Sequence, residues 1–249
     1  LEIKKRISSK SQHKQPDGIQ AVLDSPEMFQ VEDYKFITSV LIQQFKNMSV
    51  ISTSRLENIL VDISVKPKTL VKLVLEQNKI IQKHGEKITT KTLDEMVYLD
   101  AVCTESVYFS APICSVGRKA SVEYTTSNGF TVPNDSSVSL NVFSSVRDIK
   151  KYGDQSKLYI PERNIMLDRK LGDIVPLLPV WGIGSRICPA IKYASYQMKL
   201  IIALIIRKYY IFSEIDGSQP RHPGYRQLIT VIPSRSTVYL KRHNISTYK

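Results

Sequence analysis

Residues 179–194 read PVWGIGSRICPAIKYA, and residues 195–210 continue SYQMKLIIALIIRKYY. From the end of the first run through the second, Ala194, Met198, Ile201, Ile202 and Ile205 recur at spacings of three and four, which predicts an amphipathic helix. Pro189 falls where a first helical turn tolerates proline. Cys188 is thereby placed at or beside a helix N-terminus. Unpaired backbone N–H groups and the positive end of the helix dipole favour a thiolate there.

Upstream of the cysteine, Gly182 and Gly184 remove side chains, so that backbone can lie close against something flat. Arg186 offers a planar fork for a carboxylate. Thiolate, flat partner and carboxylate together suggest haem with its propionates. The plainer reading is a small buried cysteine that only packs, and this stretch by itself does not choose between the two.

Composition narrows the field. A chain of 249 residues can bury one sizeable core or two small ones. With 42% hydrophobic and 23% charged residues it belongs with globular proteins. The odd count of cysteines (Cys103, Cys114, Cys188) lacks a disulfide pattern and suits a reducing compartment. No CxxC pair is present, which argues against structural zinc. The histidines are scattered without metal-ligand spacing, and solvated surface positions are expected for them. The net charge of +12 is compatible with nucleic acid, an anionic membrane surface or an acidic protein partner. A cofactor-free basic binding protein would rest on that charge alone. Zinc-finger, RNA-binding and recognition-helix signatures are lacking, so nucleic acid is not expected. No signal peptide is visible, and the apolar run LIIALII (200–206) is too short to cross a bilayer.

Working outward, a short helical segment is expected around IQAVL, and a long central helix over about 30–65. Another helix should span about 68–83, ending at Gly85 as a C-cap. Thr92 and Glu95 have capping-box spacing, and a helix over about 93–109 should follow them. Residues 113–146 alternate in Val, Thr and Ser, with Asn128-Gly129 as a turn, and read as strands. Residues 147–178 read as irregular loop. The cysteine loop (179–190) leads into a helix over about 190–212. A hairpin over about 227–242 is expected, with Pro233 and Ser234 in its turn. The fold class is mainly α with small β-sheets.

Several stretches in this order resemble the cytochrome P-450 family of haem-thiolate monooxygenases. PVWGIGSRICPA resembles the family's haem loop, FGxGxRxCxG, with Trp181 at the usual phenylalanine and Ala190 at the last glycine. HGEKITTKTLDEMVYLDAVCTES (84–106) is similar to the approach to the ExxR helix, and RDIKKYGDQSKLYIPERN (147–164) to the stretch ending in PERF. Arg118 follows Pro112 at the spacing of an arginine that reaches a haem propionate. The resemblance is closest over 84–242 and implies the C-terminal portion of the fold, with the anchor and earlier helices of the family missing from this sequence. It implies haem b (iron protoporphyrin), Cys188 as axial ligand, Arg186 and Arg118 on the propionates, and Trp181, Gly182 and Gly184 against the haem. It also implies an NADPH-dependent flavoprotein reductase as partner and insertion of one oxygen atom into a small apolar substrate. The implied location is the cytosolic face of the endoplasmic reticulum membrane, reached through the missing N-terminal anchor.

The chain departs from the family pattern twice. The ExxR motif reads Glu105-Ser106-Val107-Tyr108, with tyrosine at the arginine. Arg163 could still pair with Glu105, and the plainer alternative leaves Glu105 facing solvent. On the central helix, counting back from Lys66-Pro67 places Val50 and Ile51 where the family carries an acid and a threonine that deliver protons. These departures make turnover by this chain doubtful and motivate a second expectation. It is a degenerate member that acts at most as a haem-binding or interaction module.

Overall fold

A computed structural model describes residues 2–9, 17–25, 34–175, 179–214 and 221–243. The chain divides into two compact units, residues 1–51 and 52–249. In the first, α1 (Glu2–Ser9) and α2 (Gly18–Leu23) precede the start of α3 (Tyr34–Ser64). Asp17 caps α2 by accepting from the Gln20 N–H at 2.9 Å, and it also receives the Arg6 guanidinium at 2.8 and 2.9 Å. Residues 26–33, which include the expected start of the central helix at 30, lie outside the described residues.

The second unit is built around α6 (Val97–Ser110). Apart from Asp100 and Glu105 its sequence is largely apolar or small, which is the pattern of a mostly buried helix. Leu99, Val102, Cys103 and Val107 are buried, each apolar side chain contributing roughly 1.5–3 kcal/mol on transfer from water. Around it pack α4 (Pro67–His84) and α10 (Ile191–Ile206), together with the C-terminal half of α3. Pro67 opens α4, where its missing N–H costs nothing, and Gly85 closes it with φ +77.

The capping box lies one turn earlier than expected. Thr89 is the N-cap of α5 (Thr90–Asp94), and it exchanges hydrogen bonds with Thr92. The chain breaks at Glu95–Met96 before α6 begins, because the N–H groups of Tyr98 and Leu99 are taken by the Glu76 carboxylate of α4.

Among the described residues, strands occur as four antiparallel pairs. β1 (Ser115–Lys119) pairs with β4 (Ser137–Asn141), and β2 (Tyr124–Thr125) with β3 (Thr131–Val132) across the turn at Gly129, φ +83. The stretch 147–175 is not irregular throughout. After α7 (Val142–Ser145) it holds α8 (Ile149–Tyr152), a 3-10 turn and α9 (Glu162–Met166).

Two boundaries near the C-terminus differ from the sequence reading. α10 ends at Ile206, and Tyr209–Phe212 form strand β5 instead of more helix. The strands on either side of Pro233 do not pair with each other. β7 (Val231–Pro233) pairs back with β6 (Tyr225–Gln227), and β8 (Tyr239–Arg242) pairs with β5. Pro233 is the last residue of β7, and Ser234 begins the link between the two ladders.

The β6–β7 hairpin is fastened to α3. The Val231 carbonyl accepts from the Arg55 guanidinium and from Asn58 Nδ2, the latter at 2.9 Å, and Arg55 Nη1 also donates to Ser110 Oγ at 2.8 Å. Arg55 is buried, and burial pulls its pKa down to about 10.

Candidate functional site

The cysteine loop is closed by its own backbone. The Gly182 N–H donates to the Pro179 carbonyl at 3.0 Å, Ile187 N–H to Gly184 at 3.2 Å, and Cys188 N–H to Trp181 at 2.8 Å. Cys188 is half-buried at the edge of the core, its side chain packed against the apolar cluster. Pro189 and the N-cap Ala190 separate it from α10, so Cys188 precedes the helix instead of entering its first turn.

Gly182 has φ +82, and a Cβ there would sit 3.2 Å from the Arg186 carbonyl. Gly184 has φ +64 with open space where a side chain would stand. Gly182→Ala is therefore expected to cost about 1–2 kcal/mol in urea unfolding, from the left-handed backbone and the close oxygen. Gly184→Ala should cost about 1 kcal/mol, from the backbone alone.

Trp181 is buried, and its indole N–H donates to the Leu171 carbonyl at 2.8 Å. The Leu171 N–H in turn donates to Asp100 Oδ1 at 2.9 Å, and Lys199 of α10 donates to Asp100 Oδ2 at 2.9 Å. Asp100 thus ties the loop and α10 to α6. The sequence reading passed over this residue, although an acid set in a largely apolar helix is a usable signal.

A cleft of about 360 Å³ lies between the β1–β4 ladder and the cysteine loop, walled by Val116, Val138, Leu140 and Ile183, with Arg118 and Gly182 on its lining. Arg118 and Arg186 are exposed, and neither has a carboxylate within ion-pair distance among the described residues. The structure brings Arg118 and Gly182 to one cleft. Cys188, Arg186 and Gly184 are not on its lining.

A charge network lies beside α6. Glu105 is 4% exposed, and its Oε1 accepts from the Ile160 N–H at 2.8 Å and lies 3.2 Å from Arg163 Nε. Its Oε2 accepts from Asn164 Nδ2 at 2.9 Å. Burial outweighs these partners and pushes the carboxyl pKa up to about 7. Arg163 also donates to the carbonyls of Gln155, Leu158 and Ile160. The Tyr108 ring has the Arg169 guanidinium 5.1 Å from its centroid. A cavity of about 130 Å³ opens between Glu105, Tyr108, Arg163 and Arg169.

Val50 and Ile51 are helical residues of α3, in the first unit, and Val50 is exposed. The histidines do not follow the expectation of solvated positions. His84 pairs with Glu95 at 2.8 Å, His222 with Asp62 at 3.0 Å, and His243 Nε2 donates to the Ile206 carbonyl at 2.9 Å. His13 lies outside the described residues. No group of three or more His, Cys, Asp or Glu residues placed to hold a metal ion occurs among the described residues.

The family model for cytochrome P450 matches residues 2–238. The chain belongs to the cytochrome P450 family. It is similar to cytochrome P450 736A117 of Prunus mume, 28% identical over 175 residues, which cover 70% of this chain and 33% of that protein. It is also similar to ferruginol synthase of Salvia pomifera, 25% identical over 220 residues, covering 85% of this chain and 46% of that one. A crystal structure of a cytochrome P450 superposes with a TM-score of 0.80 at 18% identity, covering 96% of this chain and 54% of the other. The fold is that of a cytochrome P450. The chain spans less than half the length of these two curated relatives, 33% and 46%.

Membership implies a haem cofactor, and the residues of this cytochrome P450 chain fit one. A half-buried thiol, an apolar-walled cleft that Arg118 and Gly182 line, and the exposed Arg186 beside that loop are the groups compatible with it, and neither guanidinium has a carboxylate at ion-pair distance among the described residues. The open space over Gly184 is compatible with a flat group lying close to the backbone.

Proposed function

We propose that the protein is a haem-binding monooxygenase in which Cys188 supplies the iron ligand. The observation that carries this reading is the closed loop that presents Cys188 half-exposed, its backbone held through the 2.8 Å bond from its N–H to Trp181. When bound, haem with a thiolate ligand supplies O–O bond cleavage and oxygen transfer. The chain's own residues bind and orient it. Arg118 and Arg186 hold the two propionates by charge-assisted hydrogen bonds. Gly182 and Gly184 keep the loop close to the ring, and Trp181 fixes the loop from inside. Glu105 and Arg163 act as a structural pair that keeps α6 registered on the loop before α9. The cofactor is haem b, electrons come from an NADPH-dependent flavoprotein reductase, and the substrate is small and apolar. The resemblance to the family supports the endoplasmic reticulum membrane as the protein's location. Among the described residues no helix is long and apolar enough to cross a membrane.

A second reading is favoured by Val50 and Ile51, which offer neither an acid nor a hydroxyl on the central helix. The chain would then hold haem with little or no turnover, because a positioned proton donor typically contributes ~10²–10⁴ in rate.

Titration of the chain with haem, followed by reduction under carbon monoxide, tests the binding step. A thiolate-type Soret band at one haem per chain is the expected result. A spectrum of free or histidine-ligated haem would overturn the assignment of Cys188. Measured turnover with a reductase then separates the two readings.

A further inference from the structure

A second cleft, about 280 Å³, lies away from the cysteine loop, between the end of α3, α6 and the β6 edge. We propose that it binds a phosphate-group oxyanion, with Arg147 as the principal receptor. This inference is independent of the haem assignment. The Arg147 guanidinium is held among aromatic faces, its Cζ 3.8 Å from the Phe143 ring centroid, 4.5 Å from Phe109 and 5.4 Å from Tyr225. Stacking of this kind fixes the plane of the fork and leaves its edge to recognise oxygen atoms. No carboxylate lies within ion-pair distance of it among the described residues, and its Nη1 is buried without a hydrogen-bond partner. Burial lowers its pKa only to about 10, against the opposing pull of Asp62 across the cleft, so the charge persists at neutral pH.

Asp62 is the single acid on the cleft wall, and it is already engaged. It is 1% exposed and accepts from Ser106 Oγ, Tyr225 Oη and His222 Nε2. His222 Nδ1 accepts the Gly224 N–H at 3.0 Å, which places the ring proton on Nε2, toward Asp62. The carboxylate is thus turned to the inner wall and satisfied there. Lys66 and Lys157 also line the cleft and are exposed. Neither has a carboxylate within ion-pair distance among the described residues. The lining therefore carries three cations against one committed anion. That excess suits a doubly charged tetrahedral oxyanion better than a lone carboxylate. The phosphate group could belong to a small molecule or to a lipid headgroup, and both present the same oxygens.

The test is calorimetric and thermal titration of the chain with inorganic phosphate, against chloride at matched ionic strength. Vesicles of phosphatidylcholine with and without phosphatidic acid form the second arm. Saturable phosphate binding is expected, with a melting-temperature rise of roughly 5–10 °C at a hundredfold excess over Kd. Arg147→Gln should abolish it. Lys157→Gln, an exposed change that leaves the fold intact, should weaken it about three- to tenfold, and Arg147→Lys should weaken it while retaining the charge. Binding to phosphatidic acid vesicles alone, lost in Lys157→Gln and Arg147→Gln, assigns the lipid source. An absence of phosphate-specific binding in both arms overturns the proposal. So does binding that Lys157→Gln and Arg147→Lys leave unchanged.

Discussion

Replacing Cys188 by serine is expected to abolish the thiolate-type Soret band and to weaken haem binding on the order of a hundredfold or more. Loss of a residue that merely orients a metal ligand typically costs 10–100-fold, and removal of the ligand itself should exceed that. The same change should leave the apo-protein's unfolding free energy within about 1 kcal/mol of the parent, because the side chains are close in volume and the site is half-buried. The backbone bond from position 188 to the Trp181 carbonyl does not involve the side chain and persists. This combination separates a ligand from a packing residue. A cysteine that only packs would give an unchanged spectrum in the serine variant, and that result would remove the proposed function at its root.

Glu105→Ala is expected to destabilise the chain by about 3–5 kcal/mol in urea unfolding at neutral pH. The side chain is a buried acceptor for the Ile160 N–H and the Asn164 amide, and its loss leaves both without that partner and opens a void. The Arg163 charge loses its only carboxylate at ion-pair distance among the described residues, though three backbone carbonyls still receive its protons. Glu105→Gln keeps the volume and an acceptor, and should cost much less at neutral pH.

The glutamine variant has a second, pH-dependent signature. The folded carboxyl pKa of about 7 lies above the unfolded value, so the native state holds this proton more tightly. The stability it confers is fully present below the unfolded pKa near 4.3 and is lost as pH rises through about 7. The parent should therefore lose on the order of 3 kcal/mol from this group across that window, and Glu105→Gln should flatten the slope. Unfolding free energies at a series of pH values would measure both. An identical slope in the two proteins would show that Glu105 titrates normally.

Local signals in the sequence carried much of the architecture. Pro67 and Gly85 bracket α4 because each acts through its own backbone, and Asn128-Gly129 marks a turn for the same reason. The 3.2 Å approach of Glu105 to Arg163 depends on distant segments, but two recognisable motifs flank it. What escaped the reading depends on partners far along the chain. β5 and β8 are separated by almost thirty residues (Phe212 to Tyr239), and although the Tyr-Tyr-Ile-Phe run is β-prone, no Gly or Pro marks where the helix before it ends. Pro233 and Ser234 looked like a turn because their composition is turn-like, whereas the pairing is decided by the tie of Val231 to α3. The split between α5 and α6 is imposed by Glu76 from a neighbouring helix, and that carboxylate leaves no mark in the sequence of α6. The histidines took half-buried places for a similar reason, since Asp62, Glu95 and the Ile206 carbonyl reach them only in three dimensions.

The double grip on the Val231 carbonyl bears on any attempt to exchange loops between relatives. A transplanted hairpin of different length would arrive with its carbonyl out of reach, and the buried Arg55 guanidinium would lose that acceptor. Swapping this loop successfully requires carrying Arg55 and Asn58 along with it, as a cassette drawn from two distant parts of the chain.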